Sequence, residues 1–120
     1  MSMGISVTDR VTQDGIDAYA ELSGDFNPLH VDPAAAAASE FGGIIAHGPI
    51  ALHAFFRAAT ASLGGDALPP GSTVAVTYRA PTRPGDAITC ELPDAFGEVE
   101  AECINQAGVT VVSIRATLSG

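Results

Sequence analysis

The segment from Pro49 to Leu63 is apolar nearly all the way round. Ile50, Leu52, Phe55, Phe56, Ala59 and Leu63 stand there among many alanines, and Gly64-Gly65 stops the run. A helix without a wide polar face has to be enclosed on most sides. The chain that follows supplies strands to enclose it. Val74, Val76 and Tyr78 alternate with Thr73, Ala75 and Thr77, and Ile88, Cys90 and Leu92 alternate with Thr89 and Glu91. Glu98, Glu100 and Glu102 alternate with Val99, Ala101 and Cys103, which predicts one solvated acidic face and one buried face. Val112, Ile114, Ala116 and Leu118 complete a last strand, and turns separate the strands at Pro81 to Asp86, Pro93 to Gly97 and Asn105 to Gly108. With 120 residues, 47% hydrophobic and 16% charged, the chain is long enough for one core and carries no internal repeat or linker. The expected architecture is α+β, one domain over residues 1–120, with an antiparallel sheet wrapped around a long central helix.

Ahead of that helix, Ile5 to Thr8 reads as a short first strand. Thr12-Gln13-Asp14 precedes an amphipathic helix running to about Ser23, capped by Thr12 or Asp14 and stopped by Gly24. Asp32-Pro33 starts another helix through the alanine run Ala34 to Ala38, with Gly42-Gly43 as its end. Between these two helices lies Gly24-Asp25-Phe26-Asn27-Pro28-Leu29-His30. On a continuous helix Asp25 and His30 would point about 140° apart. Pro28 forbids that, because it has no N–H and forces Asn27 into extended backbone, so the chain turns. A turn can bring a carboxylate and an imidazole onto one small molecule, as acid/base chemistry requires. The plainer reading is that Asp and Asn before Pro are ordinary turn formers. A second segment, Ala46-His47-Gly48-Pro49-Ile50, tilts the balance toward chemistry. Pro49 suits a first helical position, and Gly48 lets the backbone come close to a ligand. Free amides at a helix start carry about half a positive charge and would welcome a developing oxyanion.

The run Ser23 to Asp32, with Ala46-His47-Gly48 at this distance, closely resembles the MaoC-like or (R)-specific enoyl-CoA hydratase family of hot dog fold proteins. The strongest likeness covers residues 19 to 52. Val76-Thr77-Tyr78-Arg79-Ala80-Pro81 and Pro84-Gly85-Asp86 look like the family's next strand and turn, and beyond Asp86 only the strand pattern agrees. The resemblance implies that Asp25 and His30 are the catalytic pair, that Asn27 positions them, and that the Gly48 N–H binds the substrate thioester oxygen. The implied activity is that of a hydro-lyase: (R)-specific hydration of trans-2-enoyl thioesters to (R)-3-hydroxyacyl thioesters, or the reverse dehydration. It requires no cofactor, since coenzyme A or an acyl carrier belongs to the substrate. A homodimer or larger homo-oligomer is implied, with a heterodimer as the variant. The alternatives are a non-catalytic subunit of a mixed dehydratase, a hot dog thioesterase or an acyl-binding module. His47 is implied to shape the loop. His53, beside Phe55 and Phe56 on a helix that lines the family's acyl pocket, implies an altered substrate tunnel.

The net charge of −9 comes with five arginines and no lysine. Nucleic acid and anionic membranes are poor partners for such a surface. The phosphates of coenzyme A would also be repelled, so a local arginine has to compensate. Arg79 and Arg83, flanking a strand end, are the candidates, with Arg57 behind them. His30, His47 and His53 fit no metal-binding spacing, and Cys90 and Cys103 lie far from them, so no metal site is expected. Met1 to Ser6 lacks a signal-peptide pattern and no apolar run reaches a membrane span, which makes a cytoplasmic protein with free thiols the expectation.

Overall fold

The computed structural model describes residues 4–65, 67–92 and 97–118. The elements in chain order are β1 (Ile5–Arg10), α1 (Gln13–Ser23), α2 (Pro28–Val31), α3 (Pro33–Ala37), a 3₁₀ segment (Gly48–Leu52), α4 (His53–Leu63), β2 (Thr73–Tyr78), β3 (Ala87–Leu92), β4 (Gly97–Ile104) and β5 (Thr110–Leu118). The strands form one antiparallel sheet in the order β1-β3-β4-β5-β2. The expected α+β layout of a sheet around a central helix is therefore the one observed. Of the expected turn at Pro93 to Gly97, residues 93–96 lie outside the described residues.

Local chemistry accounts for most of the boundaries. Thr12, rather than Asp14, caps α1 by accepting from the Gly15 N–H at 3.0 Å, and Gly24 ends it in the left-handed conformation at φ 78°. Asp32 caps α3 by accepting from Ala34 and Ala35. That helix ends at Ala37, well before the expected Gly42-Gly43. The Ser39 hydroxyl donates back to the Ala36 carbonyl at 2.6 Å and accepts from the Phe41 N–H, turning the chain early. The central helix also departs from expectation at its start. Pro49 can give no N–H and the His47 side chain does not cap the helix, so the first turn tightens into 3₁₀ form and the α-helix begins only at His53.

The sheet encloses one side of α4. Ala54, Phe55, Ala58 and Ala59 are wholly buried against Ile88, Cys90, Leu92, Cys103 and Val112, the centre of a core in which removing the Phe55 ring would cost about 3–5 kcal/mol. The opposite side, with His53, Phe56 and Arg57, is exposed in the single chain. Five strands reach around only part of the helix, so the described residues do not enclose it on most sides. The acidic stripe behaves as expected: Glu98, Glu100 and Glu102 are exposed while Val99, Ala101 and Cys103 are buried. Cys90 and Cys103 face each other across β3 and β4 as free thiols. Their mutual hydrogen bond, and then burial, push the Cys90 thiol up. Among the described residues no helix is long and apolar enough to cross a membrane.

Candidate active site

The segment after α1 is held by a relay of short-range bonds. Asp25 Oδ1 accepts from the Asn27 N–H at 3.2 Å, and Asn27 Oδ1 accepts from the Leu29 N–H at 3.0 Å, capping α2 with Pro28 in its first turn. His30 thus stands on a single helical turn whose start is fixed by Asn27. Its backbone carbonyl accepts from Gln13 Nε2 at 3.0 Å. The chain returns beside it at Ile45, whose N–H donates to the Leu29 carbonyl, and Ala46 N–H donates to Thr82 across the loop.

That return sets the imidazole. His30 Nδ1 donates to the Ile45 carbonyl at 2.7 Å, which turns Nε2 toward Asp25 Oδ2 at 3.8 Å. The separation is too long for a direct hydrogen bond but allows one water to touch both groups. The imidazole is only 12% exposed and the carboxylate 53%. His47 is buried and serves the loop, as expected: its Nε2 donates to the Asp25 backbone carbonyl at 2.9 Å, and its ring stacks on His30 with centroids 3.9 Å apart. Tyr19 covers its other surroundings, ring centroids 4.7 Å away.

Asp25, His30 and His47 each bring one donor atom within 4.8 Å of the others, a grouping that spacing along the chain does not suggest. His47 Nδ1 is buried and has no partner among the described residues. The set nevertheless does not suit a metal. Imidazole lone pairs lie in the ring planes, and the His30 and His47 planes, stacked at 27°, run nearly parallel. Two such rings cannot both aim at one ion at the roughly 2.0–2.1 Å of a zinc–nitrogen bond.

Gly48 follows His47 and opens onto a cavity of about 300 Å³ lined by Ile45, His47, Gly48, Ala51, Tyr78 and Thr82 among others. Its N–H takes no partner among the described residues, while Pro49 has none to give and Ile50 N–H is spent on the His47 carbonyl. The oxyanion-binding capacity here is thus one local amide rather than a ring of free helical donors. Gly48 is also crowded: a methyl group on it would lie 2.8 Å from Tyr78 Cζ and 3.1 Å from the Tyr78 hydroxyl.

The remaining candidates divide. Arg79 borders the same cavity while its Nε donates to Ser113 Oγ at 3.0 Å. Arg83 is turned inward, where its guanidinium donates to the Phe41 carbonyl. His53 and Phe56 do not line this cavity. His53 Nδ1 instead meets Asp9 Oδ2 of β1 at 2.8 Å, Arg57 pairs with the same carboxylate, and Phe56 packs edge-on to Phe55. Sequence reasoning gave Tyr78 no role of its own. Its signal was present as the third inward position of β2, after Val74 and Val76, where a polar-tipped ring replaces an aliphatic side chain.

The family model described as MaoC like domain matches residues 1–113. Over 81 residues the chain is 36% identical to the (R)-specific enoyl-CoA hydratase of Aeromonas caviae, covering 64% of this chain and 57% of that protein. Over 42 residues it is 45% identical to 3-hydroxyacyl-thioester dehydratase Z of Mycobacterium tuberculosis strain H37Rv, covering 35% of this chain and 28% of that protein. The chain therefore spans little more than half the length of the first curated relative and about a quarter of the second. In three dimensions it superposes on the (R)-hydratase from A. caviae involved in PHA biosynthesis with a TM-score of 0.81 and 27% identity, covering 98% of this chain and 96% of that one.

Proposed function

This chain belongs to the MaoC-like domain family and has its hot dog fold, and from that premise we propose that it hydrates trans-2-enoyl thioesters to (R)-3-hydroxyacyl thioesters and catalyses the reverse dehydration. The names of its hydratase and dehydratase relatives support the reaction class. The observation that carries the assignment of roles is the orientation of His30, whose Nδ1 is engaged by Ile45 so that Nε2 and the Asp25 carboxylate face a common space. In this reading the two groups hold one water. Its oxygen bonds to C3, its proton passes to His30 or Asp25, and the electron pair of the C2–C3 double bond moves onto the thioester oxygen. The Gly48 N–H stabilises that enolate oxygen, after which C2 takes up a proton and the carbonyl re-forms. Asn27 positions the pair through its cap. No external cofactor enters the balance, because coenzyme A or an acyl carrier is part of the substrate and stays attached through its thioester.

Arg79, at the rim of the cavity, is assigned to the phosphate end of the substrate. The outer edge of β2 and the α4 face around Phe56, unpaired and uncovered among the described residues, support assembly of at least two such chains. Action in the cytoplasm accords with two free cysteines. The direct test follows the loss of enoyl absorbance when purified protein meets a short trans-2-enoyl-CoA. The expected result is enoyl loss without thiol release; thiol release would indicate a thioesterase, and no change in either a silent subunit or binder.

A further inference from the structure

The Tyr78 phenol lies against the one amide assigned to the thioester oxygen. β2 ends at Tyr78, an edge-strand residue whose backbone pairs with Val112 of β5. Its ring continues the inward row of Val74 and Val76 but reaches past the core to the cavity that Gly48 and His47 also line. The hydroxyl stands 3.1 Å from the point where a Cβ on Gly48 would be. Covalent geometry then keeps it within about 5.6 Å of Gly48 N, the span of two hydrogen bonds placed end to end. An oxygen accepting from Gly48 N–H can therefore also accept from the phenol. The ring is 52% exposed, so its hydroxyl is open to a ligand in the cavity.

From this geometry we infer that Tyr78 is a further catalytic residue of the hydration proposed above: its O–H donates to the thioester oxygen beside Gly48 N–H and strengthens that bond as the enolate forms. The inference rests on that reading of the site. Tyr78 keeps its proton throughout. Electron density arrives on the thioester oxygen when water bonds to C3 and returns when C2 is protonated, and the phenol only donates a hydrogen bond in between. Burial first, and the neighbouring Tyr19 second, raise the phenol above the ordinary tyrosine value, which keeps it a donor across the working range. A second donor also answers a need of the local backbone. With Pro49 lacking an N–H and Ile50 N–H spent, the opening turn offers the oxyanion one amide alone.

The test compares wild type, Y78F and D25N on trans-2-butenoyl-CoA. Y78F keeps the ring and removes only the hydroxyl. Its kcat is expected to fall by roughly 10- to 100-fold with KM changed less than about threefold, since a donor that strengthens in the transition state acts on kcat. An unchanged thermal midpoint would show that the fold is intact. Y78F with wild-type kcat, or with a raised KM alone, overturns the role of Tyr78 while D25N inactivity leaves the hydration reading standing. A fully active D25N, or an inactive wild type, defeats the hydration reading itself.

Discussion

Among the described residues two carboxylate–histidine pairs sit on this small domain, and they are built in opposite senses. Asp25 and His30 stand 3.8 Å apart, the imidazole shielded at 12% exposure and the carboxylate open at 53%. Asp9 and His53 stand 2.8 Å apart, with the carboxylate shielded at 18% and the imidazole open at 66%. Arg57 closes the second pair by binding the other oxygen of Asp9. Arg57 is hydrogen-bonded to one oxygen of that carboxylate and His53 lies beside the other, which has no well-formed hydrogen bond, and the contacts tie β1 to α4. In the first pair only one carboxylate oxygen is engaged, by a backbone N–H, and the imidazole is locked through its far nitrogen. Each partner keeps an unfilled valence toward a third molecule. Proximity of acid and base is common to both pairs; they differ in which partner is exposed, in the arginine that only Asp9 carries, and in the wider gap between Asp25 and His30.

The sharpest way to break this contrast is to neutralise each acid. D25N should lower kcat/KM on an enoyl-CoA by about 10²- to 10⁴-fold, whereas D9N should stay within about threefold of wild type. Equal losses would show that the Asp9 clasp also serves the reaction. H30A is expected to match D25N within about tenfold while leaving the far-ultraviolet circular dichroism unchanged, because the relay through Asn27 does not use its side chain.

Stability should respond in the reverse order. D9N is expected to lower unfolding free energy by about 1 kcal/mol, with a smaller loss at high salt, as read from urea titrations. D25N, largely solvated, should cost less than about 0.5 kcal/mol. The smallest effect belongs to H53Q, which should alter KM less than about twofold because His53 does not border the cavity. A larger rise would return His53 to the acyl-binding surface that its place on the central helix suggested. Arg79 and Arg83 extend the same logic to the substrate's phosphates: R79A should raise KM a few-fold at low salt and less at high salt, and R83A should act mainly on the Phe41 loop it holds.

Much of this was legible in the residues themselves. The period-2 alternation of Glu98 to Cys103 declares which face of β4 is wet, and Thr12, Gly24 and Asp32 announce helix ends through their own side chains or backbone freedom. The Asn27-Pro28 turn is equally local, and it breaks the helix between Asp25 and His30. Less legible were features set by competition between neighbours. The alanine run stops early because Ser39 bonds back to Ala36, and the central helix opens as a 3₁₀ turn because Pro49 and an otherwise engaged His47 leave its first turn poorly capped.

What the sequence by itself determined is the set of local commitments: a proline-forced turn between an acid and a base, a glycine before an apolar helix, and strands that alternate wet and dry. Those follow from bonds and sterics within a few residues. Only the tertiary structure decided that Ile45 would fix the tautomer of His30, that His47 would stack on it, that Asp9 would claim His53, and that the Tyr78 ring would come to rest against Gly48. These pairings join residues 15 to 44 positions apart, and their geometry depends on how the sheet packs against the helix, which no short stretch of sequence encodes.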